Sequence, residues 1–181
     1  ALPSLKYGLH LISKKQSSSN TTWKPVLWYV KEIRDHYNKL SVKLLKKGNK
    51  DIEFAIVFKV FDDGVGFRYE FPKQKNINHF IVSEERTEFH LTGNHKAFWI
   101  PGDYDSNEFS PNITKLSEVN GEDPKYAANI YAHQFFDKDA VQTPLMLKTN
   151  DGLYINIHEA ALVNYPAMNL HIDKSDFTLS S

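Results

Sequence analysis

Two Asp-Gly pairs, each set between runs of alternating apolar residues, constrain this chain more than any other feature of its sequence. Residues 54–61 and 65–71 flank Asp62-Asp63-Gly64, and residues 144–148 and 153–158 flank Asp151-Gly152. Asp-Gly readily supplies the positive φ angles of a tight turn, so each block predicts an antiparallel hairpin. In the second arm of the first hairpin Val65, Phe67, Tyr69 and Phe71 share one face at a period of two, and that face is predicted to be buried.

The rest of the chain extends this pattern. Short strands are predicted at 80–83, 87–91, 98–100 and 169–172, and strands of this length and spacing favour an antiparallel sandwich or barrel over a helix-covered parallel sheet. With 181 residues, 41% of them apolar, the chain can bury one sizeable core, as one domain or at most two small ones. Two segments break the rhythm. Between 25 and 47, Val26, Val30, Ile33, Tyr37 and Leu40 fall at helical spacing, and by pattern alone predict one amphipathic helix. Residues 101–142 lack clear periodicity, yet Tyr104, Tyr126, Tyr131, Phe135 and Phe136 give this stretch too much aromatic surface for a disordered linker, so it reads as a long packed surface loop. The Ser-Asn-Thr run at 17–22 reads as a flexible loop.

Charge and cysteine content remove several classes of function. Lys plus Arg and Asp plus Glu each number 22, which leaves no broad positive field for nucleic acid or an anionic membrane. No apolar run approaches the roughly 20 residues that a membrane-spanning helix needs, and the first residues do not form a secretory signal. The absence of cysteine excludes disulfides, thiolate metal sites and a Cys nucleophile, and leaves the compartment open.

The segment with the most chemistry is His158-Glu159-Ala160-Ala161-Leu162. It falls short of the H-E-x-x-H zinc motif at Leu162, and the preceding residues alternate as a strand rather than a helix. That alternation puts Leu153, Ile155, Ile157 and Glu159 on one side, with Tyr154, Asn156 and His158 on the other. Glu159 thus ends an apolar face. A carboxylate there needs a cationic, backbone or metal partner, or else reaches solvent at the strand end. The remaining histidines show no recurring ligand spacing, and Gly64-Val65-Gly66 lacks the third glycine of a dinucleotide loop. Asp103, Asp105 and Glu108 crowd the long segment near Trp99 and Tyr104. Aromatic faces beside acids suit a sugar, so Trp99, Tyr104 and Glu108 are candidate substrate contacts, against the plainer reading of a solvated acidic loop.

Several stretches resemble glycoside hydrolase family 97, a family of α-glucosidases and α-galactosidases. They are Glu32-Ile33-Arg34-Asp35-His36-Tyr37-Asn38, Asp63-Gly64-Val65-Gly66-Phe67-Arg68-Tyr69-Glu70-Phe71, Phe98-Trp99-Ile100-Pro101, Thr143-Pro144, His158-Glu159-Ala160-Ala161-Leu162 and Tyr165-Pro166-Ala167-Met168. They occur in family order between Trp23 and Leu170. The resemblance implies an all-β fold, an antiparallel β-sandwich of the super-sandwich, galactose-mutarotase-like kind, occupying residues 1–181 as one domain. It also overturns the helix read at 25–47, because it implies strands around residues 32–45.

In such enzymes the acid and the base or nucleophile belong to a (β/α)8 barrel. A barrel takes roughly 250 residues, so none fits here and no catalytic residue is assigned. The resemblance implies that Glu159 is the glutamate lent to an active-site calcium, that the partner is the barrel domain of the parent chain, that the substrate is an α-linked oligosaccharide, and that the compartment is periplasmic or extracellular. With one carboxylate contributed, the isolated chain is expected to bind calcium weakly or not at all. The chain departs from the pattern at Asn164, where an acid is expected, and at Trp28-Tyr29, where more polar residues are expected. Against the family pattern, the first strands before Tyr7-Gly8-Leu9 are expected to be missing, which would leave a sheet edge open to self-association.

Two other readings compete with this one. A free-standing carbohydrate-binding module predicts an aromatic platform around Trp99 and Tyr104, whereas a docking domain predicts exposed apolar surface near Glu159. A complete small hydrolase would have to use the acids of the long loop.

Overall fold

The computed structural model describes residues 4–48, 51–75, 77–126 and 137–181. Tyr131, His133, Phe135 and Phe136 lie outside them. The chain divides into two compact units, Ala1–Val82 and Ser83–Ser181.

The first unit is one antiparallel sheet in the order β1 (Leu9–Trp23), β2 (Ile33–Lys46), β3 (Ile52–Val60), β4 (Val65–Glu70). The helical spacing at 25–47 is a coincidence of sequence, because the segment that carries Ile33, Tyr37 and Leu40 is strand β2. Its real periodicity is the alternation Leu40, Val42, Leu44, which sets these residues opposite Phe58, Ile56 and Phe54 of β3. Residues 17–22, read from sequence as a flexible loop, lie inside β1. Their backbone pairs along β2 from Ser17↔Lys39 to Thr22↔Arg34, and because this stretch is mostly solvated on both faces it leaves no apolar alternation to read.

The first predicted hairpin joins β3 to β4, with Val60 opposite Val65. Its turn differs from the expectation. The Phe61 N–H donates to the Gly64 carbonyl at 2.8 Å, which makes Asp62 and Asp63 the central residues, and Gly64 does not adopt a positive φ. The β4 face predicted to be buried is instead substantially exposed: Val65, Phe67 and Tyr69 retain 66%, 37% and 44% of their surface. At its far end Phe71 is covered, stacked on Phe54 at 5.7 Å between centroids and tilted against Phe80 at 4.7 Å. Phe80 to Ser83, predicted as a strand, has no regular structure.

The second unit contains β5 (Glu88–His90), β6 (Lys96–Trp99), β7 (Asn112–Lys115), a 3-10 turn Leu116–Glu118, β8 (Ala140–Gln142), β9 (Leu145–Lys148), β10 (Tyr154–Ile157), β11 (Asn169–Asp173) and β12 (Thr178–Ser180). These form two four-stranded antiparallel sheets, β10-β9-β6-β7 and β5-β12-β11-β8. Their inner faces meet in one core. Ala97, Trp99, Leu145, Leu147 and Ile157 come from the first sheet, Val141, Leu170, Ile172 and Leu179 from the second, with Leu116 and Val119 from the 3-10 turn and its end. Each fully buried Leu or Ile contributes about 1.5–3 kcal/mol relative to an exposed one, and this layered packing is an antiparallel β-sandwich.

The segment 101–142, read as a loop, holds β7 and the 3-10 turn within it and β8 at its end. Strands of three or four residues offer too few alternations to stand out in sequence. The chain after β6 also runs beside β8: the Gly102 N–H donates to the Ala140 carbonyl at 2.9 Å, and a Cβ on Gly102 would lie 2.7 Å from that of Ala140. Only glycine permits so close an approach.

The second predicted hairpin forms as expected between β9 and β10, with Lys148 opposite Tyr154. Gly152 takes φ 95°, and Thr149 closes the loop by accepting the Leu153 N–H at 2.9 Å and donating to Asp151. The Thr149 hydroxyl holds the Asp151 carboxyl below its ordinary range.

Candidate functional site

Strand β10 carries the predicted alternation to its end. Ile157 is buried and Ile155 half-buried, while Tyr154, Asn156 and His158 are exposed. Glu159 follows, half-buried, two residues past the strand. The backbone N–H of Met168 donates to Glu159 Oε2 at 2.7 Å, so the partner required for a carboxylate at the end of an apolar face is a backbone amide. Among the described residues Oε1 receives no hydrogen bond or ion pair.

This bond closes a loop from Glu159 to Met168. Ala161 and Asn164 occupy the left-handed region, at φ 55° and 53°. Asn tolerates that conformation, because its short amide bonds locally. Leu162, Val163 and Tyr165 remain 46%, 73% and 41% exposed. Apolar side chains so displayed beside a carboxylate suit a surface that another module covers.

Two further bonds hold the loop. Met168 accepts from the Thr143 hydroxyl through its carbonyl at 3.2 Å, and the Tyr165 hydroxyl donates to Glu85 Oε2 at 2.5 Å. Thr143, Tyr165 and Met168 belong to motifs quoted from the sequence, but nothing in their spacing links them to Glu159. Glu85 carried no signal at all.

The other candidate residues separate. Trp99 is 2% exposed, its indole N–H donating to the Thr114 hydroxyl at 2.9 Å and its ring packed on Tyr126 at 5.6 Å between centroids. A ring enclosed in the core offers no face to a sugar, so Trp99 is a core residue and not a substrate contact. Asp103 is 5% exposed and accepts the N–H groups of Asp105 and Ser106, each at 2.8 Å, which makes it the organiser of a local turn. Tyr104 and Glu108 remain at the surface, Tyr104 with 67% of its area exposed.

Among the described residues no three His, Asp or Glu side chains gather in a metal-ligating group. Calcium takes six to eight oxygen ligands. The free oxygen of Glu159 fits one position of such a shell, whose other ligands would come from elsewhere.

Fold and site together define an antiparallel β-sandwich domain whose most distinctive carboxylate is held on an exposed loop. Residues 3–180 match the family model described as the N-terminal domain of glycosyl hydrolase 97, and the chain belongs to that family. Over 96% of its length it superposes, with TM-score 0.77 and 31% identity, on a glycoside hydrolase family 97 enzyme from Pseudoalteromonas sp. strain K8 in complex with acarbose. The same figures hold for the E480Q form of that enzyme in complex with panose. It is 23% identical over 154 residues to a retaining alpha-galactosidase of Bacteroides thetaiotaomicron. The chain spans 24% of the Pseudoalteromonas enzyme and 20% of the Bacteroides protein.

Proposed function

We propose that this chain serves as the non-catalytic N-terminal domain of a family 97 α-glycosidase, where it packs on a (β/α)8 barrel and lends Glu159 to an active-site calcium during hydrolysis of α-linked oligosaccharides, in the periplasm or outside the cell. The observation that carries this reading is the state of Glu159: Oε2 fixed by the Met168 amide, Oε1 without a partner among the described residues, and exposed Leu162, Val163 and Tyr165 on the same loop. A backbone-anchored carboxylate keeps one oxygen for a cation while losing little orientational freedom. Family 97 relatives bound to acarbose and panose support the substrate class.

The alternative, a free-standing carbohydrate-binding module, is weakened because Trp99 is enclosed in the core. Tyr104 and Glu108 stay in the proposal as surface sugar contacts of secondary weight.

The test is the protein encoded by the reading frame continued past Ser181. Glu159→Gln in that protein should weaken calcium binding by about tenfold or more, measured by titration calorimetry, with nitrophenyl α-glycoside turnover partly restored by excess calcium. Unchanged calcium affinity, or a tight one-to-one calcium site in the 181-residue chain alone, would refute the assignment.

A further inference from the structure

The loop that carries Glu159 is fastened at a second place, and the fastening reaches the opposite sheet of the sandwich. Glu85 is half-buried, and both of its carboxylate oxygens are engaged. Oε2 accepts from the Tyr165 hydroxyl at 2.5 Å, and Oε1 from the Thr87 hydroxyl at 2.7 Å. Thr87 is itself fixed: only 8% exposed, it receives the Ser181 N–H on its carbonyl at 3.0 Å and donates its own N–H to the Ser181 hydroxyl at 3.1 Å. Those bonds place it one residue before β5, whose partner is β12.

We propose that Tyr165 and Glu85 are positioning residues that hold the Glu159 carboxylate in its working orientation. The loop has two left-handed residues and a largely exposed surface, so its conformation depends on its anchors. Met168 is one, gripped on its N–H by Glu159 and on its carbonyl by Thr143. Tyr165, three residues earlier, is the other. A hydrogen bond to an ionised acceptor is roughly twice as strong as a neutral one. Releasing Tyr165 frees the middle of the loop and, through Met168, the amide that aims Glu159. The link to calcium rests on the function proposed above, whereas the tether stands on this geometry alone.

The experiment uses the complete protein and reads two quantities. Tyr165→Phe deletes one hydroxyl, Glu85→Ala removes its acceptor, and Glu85→Gln retains an acceptor oxygen. Hydrogen–deuterium exchange of the peptide spanning 159–168 should quicken by about tenfold in Tyr165→Phe and Glu85→Ala, by a smaller factor in Glu85→Gln, whose neutral amide is the weaker acceptor, and leave the β9–β10 hairpin unchanged. Calcium affinity by titration calorimetry should fall by about tenfold in the first two variants. Unchanged exchange in Tyr165→Phe overturns the tether. Quickened exchange with unchanged calcium affinity overturns its role in aiming Glu159, provided that Glu159→Gln weakens calcium binding. Should Glu159→Gln leave calcium binding unaltered, the calcium assignment fails by itself, and exchange alone decides the tether.

Discussion

The indole N–H of Trp99 donates to the hydroxyl of Thr114 across the β6–β7 ladder, where the two residues are diagonal neighbours, and that hydroxyl passes its own proton to the Lys115 carbonyl at 2.9 Å. The pair satisfies a polar group inside the core, which otherwise costs about 1–3 kcal/mol when left unmade. Thr114→Val keeps the shape and orphans the indole, so it should destabilise by about 1–3 kcal/mol. Trp99→Ala should cost about 3–5 kcal/mol. Urea denaturation measures both, and a Trp99→Ala protein as stable as the parent would contradict the core assignment.

Lys174 reaches from the turn between β11 and β12 to the Val119 carbonyl and to Asp139, each at 2.6 Å, while Lys138 meets the other oxygen of Asp139 at 2.7 Å. Burial alone would raise the Asp139 pKa, and it is the largest single influence, but the bonds from Lys138 and Lys174 together outweigh it and hold the value below the ordinary 3.8. A carboxyl with a depressed folded-state pKa contributes stability that is complete above the unfolded value and disappears as pH falls through the folded one. Asp139→Asn should therefore cost about 1–2 kcal/mol at neutral pH, and the difference from the parent should vanish in acid below the usual carboxylate range. Thermal melts across pH measure it; a constant difference down to the most acidic condition would exclude the linkage.

Strand β1 is an outer strand of its sheet, 15 residues long and paired only with β2 among the described residues. Its irregularity between Leu11 and Ser13 blunts one end, but along the rest of the edge the outward backbone groups have no strand partner among the described residues. The 181-residue chain should self-associate, with apparent mass in light scattering rising with concentration. A strict monomer at all concentrations would contradict this.

How much of this was legible in the sequence depends on whether local or distant contacts set each element. The β9–β10 hairpin was readable because Asp151-Gly152 and its flanking alternation need only neighbours in the chain. In the first hairpin the strands were readable but the turn was not, since closure at Phe61 and Gly64 moved its centre to Asp62-Asp63. At 25–47 the residues themselves misled, because Ile33, Tyr37 and Leu40 satisfy a helical spacing as well as a strand, and only pairing with β1 and β3 breaks the tie. Motif resemblance resolved that segment where periodicity did not.

By itself, the sequence determined the all-β pattern from Asp51 onward, the position of its clearest hairpins, and the placement of Glu159 at the end of an apolar alternation, since a period of two needs nothing beyond adjacent residues. The tertiary structure alone decided that Trp99 is enclosed rather than displayed and that Asp103 serves its own turn. It also brought Met168, Thr143, Tyr165 and Glu85 to the loop of a single carboxylate, the bonded pair Tyr165 and Glu85 lying 80 positions apart. Burial and hydrogen-bond partnership between residues far apart in sequence are properties of packed sheets, and no local pattern encodes which face of a strand another layer will cover.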